Sequence, residues 1–414
     1  TCQRYADFWH DKVDLATKSE IFNMIRDMQV MPSMRALWAA GPALDRDNTC
    51  AFNCAYVAVD HIRAFDEAMY LLMCGCGVGY SVERQSISKL PEVAEELVDT
   101  DTTIVVRDSK IGWATAFKQL ISMLYSGEVP QWDVSGVRPA GAKLKTMGGR
   151  ASGPAPLVDL FEFTVRVFKG AAGRKLNSAE VHDIMCKVGE VVVVGGVRRS
   201  AMISLGNVSD DRHRSLKTGE WWKHDPQRAL ANNSAVYTEK PDFGVFQTEL
   251  KSLYDSYSGE RGIFNREGAK KKLEALGVRD VDHDFGCNPC AEILLRSAGL
   301  CNLTEVIIRP EDTLETLKYK VKYATIMGTL QSSLTDFRYL RSKWKNNAEE
   351  ERLLGVSFTG ICDHPVMAGK KGEKVLTDWL RDLRAVTVKV NAEWAKKLGI
   401  NPSVAITTVK PSGT

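Results

Sequence analysis

An α/β fold built from crossover units is what this sequence predicts, and three observations carry it. Short apolar runs that suit buried strands recur along the 414 residues, long stretches of helical periodicity lie between them, and no internal repeat or low-complexity linker interrupts the alternation. The composition agrees, since 44% hydrophobic and 26% charged residues are globular proportions that leave a large core. Lys and Arg number 55 against 52 Asp and Glu, a net charge of +3, so neither nucleic acid nor an anionic membrane surface is an expected partner. The uncharged run from Ala68 to Tyr80 contains three glycines and falls short of the ~20 apolar residues of a membrane span. Length alone leaves open one large closed unit or two to three domains.

Taken in order, Tyr5 to Val30 spaces Phe8, Val13, Ile21, Phe22, Ile25 and Met28 among charges and predicts two opening helices. After a loop with Gly41, Pro42 and Asn48, Cys54 to Val59 is short and apolar enough for a buried strand. A helix near 65–73 follows, then a glycine turn enters a strand ending at Val82. Helices are expected over 111–125, 156–170, 177–194, 311–335 and 372–398, with Asn177 and Glu180 as a capping pair. Further strands are expected at 202–205, 263–264, 293–295, 306–308 and 404–409. The chain opens Thr1-Cys-Gln-Arg4 with no leader and ends Pro411-Ser-Gly-Thr414, where a turn leads into another element, so it reads as a fragment of a longer protein. Ten cysteines are too sparse for a disulfide scaffold, and a reducing cytoplasm is the expected location.

The most informative stretch is Cys287-Asn-Pro-Cys-Ala-Glu292, with Cys301-Asn302 further on. If Asn288 to Glu292 is extended, Asn288, Cys290 and Glu292 share one face and bring together an amide, a thiol and a carboxylate. Pro289 favours an extended or loop conformation at Asn288. Two other readings stay open: loop residues with no shared task, or soft metal ligands in Cys287-x2-Cys290 with Cys301 and His283, although no second Cys-x2-Cys matches. Cys50, Cys54, Cys74 and Cys76 read most simply as buried small residues. His283-Asp-Phe-Gly286 is half of a cobalamin-binding loop pattern, but Val281 stands where an Asp is needed. Gly75, Gly77 and Gly79 permit a tight turn, and Pro411-Ser412-Gly413-Thr414 offers hydroxyls and backbone N–H groups to a phosphate, with Ser33 as a further hydroxyl.

Met31-Pro-Ser-Met-Arg-Ala-Leu-Trp38, Asn53-Cys54, Gly75 to Val82, Val137-Arg-Pro139, Ala151-Ser-Gly-Pro154, Val197-Arg-Arg-Ser200, Ala231-Asn-Asn-Ser234, Asn288 to Glu292, Cys301-Asn302 and Thr407 to Thr414 stand in the order and spacing of a known family. The sequence resembles the catalytic subunit of ribonucleotide reductases, most closely the adenosylcobalamin-dependent class II enzymes and their triphosphate-using branch. The resemblance implies a ten-stranded α/β barrel of two half-barrels with an internal finger loop. Residues 1–40 would be a short N-terminal helical segment and 41–414 the barrel, truncated at its C-terminal end. It implies Cys290 as the thiyl residue, Asn288 and Glu292 as its neighbours, and Cys54 with Cys301 as a redox pair on adjacent strands. Ser33, Asn53, Gly77, Gly79, Pro411, Ser412, Gly413 and Thr414 would hold substrate, and Asp60, Arg63 and Arg84 an effector nucleotide.

In that chemistry a thiyl radical at Cys290 takes the ribose 3′-hydrogen, Glu292 accepts the 3′-hydroxyl proton as general base, and Asn288 orients the hydroxyls. One thiol of the pair, Cys54, protonates the departing 2′-hydroxyl, and the pair closes to a disulfide as it supplies two electrons. The radical has to be kept dry, hence a loop inside a barrel. Adenosylcobalamin would start the radical, with no protein-bound metal. Partners would be the ribonucleotide, a dNTP or ATP effector and a thioredoxin-like dithiol, with no nucleic acid or membrane. The alternatives are a class I large subunit fed by a separate metal-radical subunit, or a non-catalytic or zinc-binding relative. Two departures stand out. Cys287 occupies a position where the family has a small hydroxyl residue. Only about fifty residues separate Glu83 from Arg138, where monomeric class II enzymes carry a long insertion, so a homodimer is expected to replace a self-contained effector site. Lacking the strands beyond Thr414 and the C-terminal cysteine pair, the 414-residue piece alone is not expected to turn over.

Overall fold

The alternation of strands and helices is realised in a computed structural model that describes residues 1–143, 150–194 and 201–410. Twelve strands lie among the described residues: β1 (Val30–Met31), β2 (Cys54–Ala58), β3 (Gly77–Ser81), β4 (Val98–Val105), β5 (Glu128–Asp133), β6 (Met202–Asn207), β7 (Ala231–Tyr237), β8 (Gly262–Asn265), β9 (Gly286–Cys287), β10 (Leu294–Leu295), β11 (Gly299–Ile307) and β12 (Leu354–Thr359). The chain forms two compact units, one of residues 1–54 and 298–414, the other of residues 55–297.

In the first unit β11 is flanked by β1, antiparallel, and β12, parallel. The helices Cys2–Phe8 and Leu15–Arg26 open the chain as its periodicity predicts, the second capped by Asp14, whose carboxylate accepts from Thr17 N–H. The 311–335 helix begins three residues late, at Leu314, because Thr313 and Thr316 form a reciprocal capping box that fixes its first turn. Its residues Leu317, Val321, Ala324 and Met327 are fully buried. The expected strand 404–409 is corrected to a single bridge, Thr407 to Val356. Leu354 N–H donates to the Ala405 carbonyl and Val356 N–H to Ile406, so a step of two residues on β12 meets a step of one opposite and no regular ladder can form. The strand expected at 306–308 is the tail of the longer β11, which begins at Gly299.

In the second unit β2, all but its first residue Cys54, lies beside β3, β6, β7 and β8 in that order, with parallel register from β3 through β8. The buried and largely apolar β2, β3 and β6 fit a parallel sheet covered by helices. The helix Ser178–Val194 starts where expected: Asn177 Oδ1 accepts from the N–H groups of Ala179 and Glu180, and the Glu180 carboxylate returns to Asn177 N–H at 2.9 Å. Apart from this sheet, β4 and β5 pair in parallel, with the helix Lys110–Tyr125 as the crossover between them. This βαβ unit was not foreseen, because β4 is Val98-Asp-Thr-Asp-Thr-Thr-Ile-Val105, too polar and too exposed to show alternation. No helix of the described residues is long and apolar enough to cross a membrane.

Candidate active site

The Cys290 segment lies in the second unit and is a hairpin. β9 and β10 pair antiparallel, with Cys287 opposite Leu294 and Gly286 opposite Leu295. Asn288 to Glu292 is therefore not extended, and the shared-face reading is corrected. Pro289 turns the chain, Ala291 N–H donates to the Asn288 carbonyl at 2.9 Å, and Ala291 sits at φ 63°, a left-handed conformation costing about 1 kcal/mol outside glycine. The turn still brings the amide and the carboxylate together. Ile293 N–H donates to Asn288 Oδ1 at 3.0 Å, which leaves Nδ2 to face Glu292, and Asn288 Nδ2 donates to Glu292 Oε2 at 2.8 Å. Asn288 is fully buried and Glu292 half-buried, whereas Cys290, at the tip, is exposed rather than enclosed because the turn carries it past the paired stem.

The stem lies against β3. A Cβ on Gly79 would stand 1.8 Å from the Cys287 carbonyl oxygen, and one on Gly77 would stand 3.0 Å from Pro289 Cγ. The two glycines expected at a substrate turn therefore sit in a strand and have a packing reason to be glycine: the hairpin backbone occupies the space of their side chains. Cys287 is buried, and that burial, with Glu292 and Cys290 nearby, pushes its thiol up to about 12. It is a neutral core thiol at ordinary pH.

The second pair of expected cysteines lies in the first unit. Cys54 and Cys301 are both buried, and Asn53 N–H donates to the Cys301 carbonyl at 3.1 Å, which sets the two cysteines on adjoining stretches of chain. Asn53 Oδ1 also accepts from Leu303 N–H at 3.2 Å, so this residue grips β11 on both sides of Asn302. Asn302 donates from Nδ2 to the Leu353 carbonyl and accepts at Oδ1 from Gln331 Nε2 at 3.0 Å. Gln331 Oε1 in turn accepts from Ser33 N–H at 3.1 Å. Ser33, Asn302 and Gln331 are all buried, and Ser33 Oγ donates to the Ala51 carbonyl. The sequence reading named Ser33 and Asn53 but missed Gln331, which lies on a helix of ordinary periodicity with no motif around it.

The remaining expected residues have local partners. Arg63 pairs with the buried Asp66 at 2.9 Å, and Arg84 Nη2 donates to the carbonyl and the hydroxyl of Ser209. Asp60 lies just after β2, its N–H on the Ala58 carbonyl. Pro411 to Thr414 and the Val197–Ser200 motif lie outside the described residues. Among the described residues no three His, Cys, Asp or Glu side chains converge as metal ligands, and His283 faces Asp280 and Arg296 instead.

Comparison with known proteins bears out the resemblance read from the sequence. Residues 83–168 match a family model described as the insertion domain of B12-dependent ribonucleotide reductase. Proteins named adenosylcobalamin-dependent ribonucleoside-triphosphate reductase are similar across nearly the whole chain. That of Lactobacillus leichmannii is 29% identical over 97% of this chain and 65% of its own length, that of Lactobacillus acidophilus 26% over 95% and 64%, and that of Euglena gracilis 27% over 98% and 56%. The chain thus spans less than two thirds of these relatives. A crystal structure of a B12-dependent class II ribonucleotide reductase superposes on the whole chain and 69% of its own with a TM-score of 0.82 at 23% identity, which shows the α/β barrel fold. The class Id alpha subunit of Actinobacillus ureae superposes at 0.57 and 12%. The stretch after Glu83, where about fifty residues stand in place of a longer insertion, falls within the match to that insertion domain. It packs as the β4–helix–β5 unit.

Proposed function

We propose that this chain is the catalytic core of a cobalamin-dependent ribonucleotide reductase acting on ribonucleoside triphosphates. The observation that carries the reading is the hairpin that presents Cys290 at its tip with Asn288 Nδ2 bound to Glu292 Oε2 at 2.8 Å. A thiol, a carboxylate and an orienting amide are the set needed to remove a carbon-bound hydrogen and a hydroxyl proton from the same sugar.

Cys290 is the hydrogen-abstracting thiol in this reading, and Glu292 the base for the 3′-hydroxyl proton. Asn288 holds the Glu292 carboxylate while its own carbonyl is tied to Ile293, so base and turn move together. Cys54 protonates the leaving 2′-hydroxyl and, with Cys301, gives up two electrons and closes to a disulfide. Asn53 sets the spacing of that pair through its bond to the Cys301 carbonyl. Ser33, Asn53, Gly77, Gly79 and Pro411 to Thr414 are the proposed ribose and phosphate contacts, and Asp60, Arg63 and Arg84 the effector contacts. The radical initiator fits one feature of this chain: Cys290 is exposed, as a thiol must be to meet a separately bound group, and the hairpin tip at Cys290 and Ala291 is where adenosylcobalamin would be met. When bound, it supplies a carbon-centred radical able to take the thiol hydrogen. A thioredoxin-like dithiol, a dNTP or ATP effector, a homodimer and a cytoplasmic location complete the proposal and rest on the resemblance.

The test is reduction of CTP and CDP by the full-length protein with a dithiol, with and without adenosylcobalamin. Product from CTP that requires the cobalamin is expected. Activity that instead requires a separate metal-radical subunit would place the chain with class I, and no reduction under either condition would refute the reading.

A further inference from the structure

The hairpin is held by more than its own two-residue strands. The carbonyl of Phe285, one residue before β9, accepts from Arg266 Nε at 2.6 Å. Arg266 opens the helix Arg266–Leu276, and its other two nitrogens bind both oxygens of Glu83, Nη1 to Oε1 at 3.0 Å and Nη2 to Oε2 at 2.7 Å. Glu83 is fixed in turn by Ser81 Oγ at 2.8 Å and Gln85 Nε2 at 2.9 Å. It lies two residues beyond β3, the strand whose Gly77 and Gly79 receive Pro289 and the Cys287 carbonyl. The contacts close a ring: β3 to Glu83, to Arg266, to the Phe285 carbonyl, along the hairpin and back onto β3.

Stability alone is a weak reason for such an arrangement. Both side chains of the pair are 98% buried, and a buried ion pair gives back in desolvation much of what it gains in attraction. What a guanidinium fork adds is direction, because with its two Nη groups committed to a carboxylate the Nε–H points along a fixed line. Here that line ends on the hairpin stem. An equally bidentate pair in the same unit, Arg228 with Asp183 at 2.6 and 2.7 Å, turns its remaining nitrogen to the Leu216 carbonyl and to Asp225 at 3.0 Å, not to the hairpin.

We propose that Arg266, locked by Glu83, is the positioning residue that sets where the hairpin holds Cys290 for hydrogen abstraction. The inference rests on the functional reading above for its kinetic consequence, but its geometric claim is independent of it. Lysine at 266 keeps the charge and cannot bridge two carboxylate oxygens and a carbonyl at once.

The experiment compares Arg266→Lys, Glu83→Gln and the control Arg228→Lys in the full-length protein. Alkylation of Cys290 by iodoacetamide is followed by peptide mass spectrometry against Cys362, an exposed cysteine of the other unit. Steady-state kcat and KM are measured with CTP, a dithiol and adenosylcobalamin. In Arg266→Lys the Cys290 to Cys362 rate ratio should rise at least about threefold, and kcat should fall about 100-fold with KM little changed, as expected for a reacting atom displaced by about 1 Å. Arg228→Lys should keep the wild-type ratio and kcat even if its melting temperature falls. The proposal is overturned if Arg266→Lys leaves ratio and kcat unaltered, or if Arg228→Lys reproduces its changes. Should Arg266→Lys fail to fold, Glu83→Gln decides by the same ratio. If even the wild-type protein reduces no nucleotide, the functional reading falls while the alkylation ratio still judges the positioning.

Discussion

The two units treat their proposed reactive thiols in opposite ways. In the first, Cys54 and Cys301 are buried, and their surroundings are tied together by side-chain amides: Asn53 on β11, Asn302 on Leu353, Gln331 on Asn302 and Ser33 on Gln331. In the second, Cys290 is exposed on a turn, and the fixing is done beneath it, by a glycine-lined strand and a buried Arg266–Glu83 pair. The difference follows from the task. A dithiol that cycles through a disulfide needs a fixed mutual distance, which neighbouring backbone provides. A thiol that must meet a separate radical source has to protrude, so its precision comes from the stem.

Cys290→Ser and Cys54→Ser probe that contrast most sharply. Both should reduce turnover below detection, but the exposed substitution should leave the urea midpoint unchanged. The buried one should cost about 1–3 kcal/mol, since a more strongly hydrated hydroxyl replaces a buried thiol. Equal loss of stability in the two would break the comparison. Glu292→Gln comes next. Loss of the general base should lower kcat about 10²- to 10⁴-fold with little change in KM, whereas a change confined to KM would make Glu292 a binding group only. Gly79→Ala places a methyl within 1.8 Å of the Cys287 carbonyl, so the hairpin must lift or β3 must shift. About 3 kcal/mol of destabilisation is expected, together with faster alkylation of Cys290. Gly277→Ala, at a helix end with φ 61° and open space around it, should cost only about 1 kcal/mol.

Much of the helical frame was legible, because 111–125, 156–170, 177–194 and 372–398 carry long apolar periods and, at Asn177, a cap. Strands were legible only where they are short and uniformly apolar. β7, Ala231-Asn-Asn-Ser-Ala-Val-Tyr237, escaped as a strand because its polar first half hides the pattern, although its residues were part of the family resemblance. The reacting triplet could be named from Asn288, Cys290 and Glu292, but its geometry could not, since Ala291 in a left-handed conformation gives no sequence signal. Glu83 was within reach: Gly77, Gly79, Ser81 and Glu83 are alternate residues, three small positions on one side of a strand leading to a carboxylate. Arg266, 183 residues from Glu83, was not, because only folding brings the two together.

The two units should also part company in acid. In the second, Tyr80, His182, Ser204 and His213 form a fully buried chain, with His182 Nδ1 3.0 Å from both the Tyr80 and the Ser204 hydroxyls and Ser204 Oγ 3.1 Å from His213 Nε2. Arg261 Nη1 lies 3.2 Å from His213 Nδ1, and a guanidinium cannot accept, so Nδ1 is the acceptor and the ring's one proton is on Nε2. Burial, reinforced by Arg261 and outweighing Asp210 and Glu249, drives the His213 imidazole down to about 3, and burial with His213 and Arg228 drives His182 well below 6.5. The unfolded chain therefore takes up protons below about pH 6.5 that the folded chain refuses, His213 until about pH 3. Stability is complete above that window and falls through it by about 1.4 kcal/mol per pH unit for each histidine. In the first unit, burial pushes the Asp312 carboxyl up, but Lys320 at 2.6 Å and the Arg309 N–H hold it below its ordinary 3.8, so its contribution is lost only below that pH. Amide exchange at pH 5 should consequently speed up in β6 before β11. His213→Gln should remove about 2 kcal/mol from the drop in unfolding free energy between pH 7 and pH 5. Matched acceleration in the two strands, or an unchanged drop in the variant, would mean that the buried histidines are not what makes the second unit acid-sensitive.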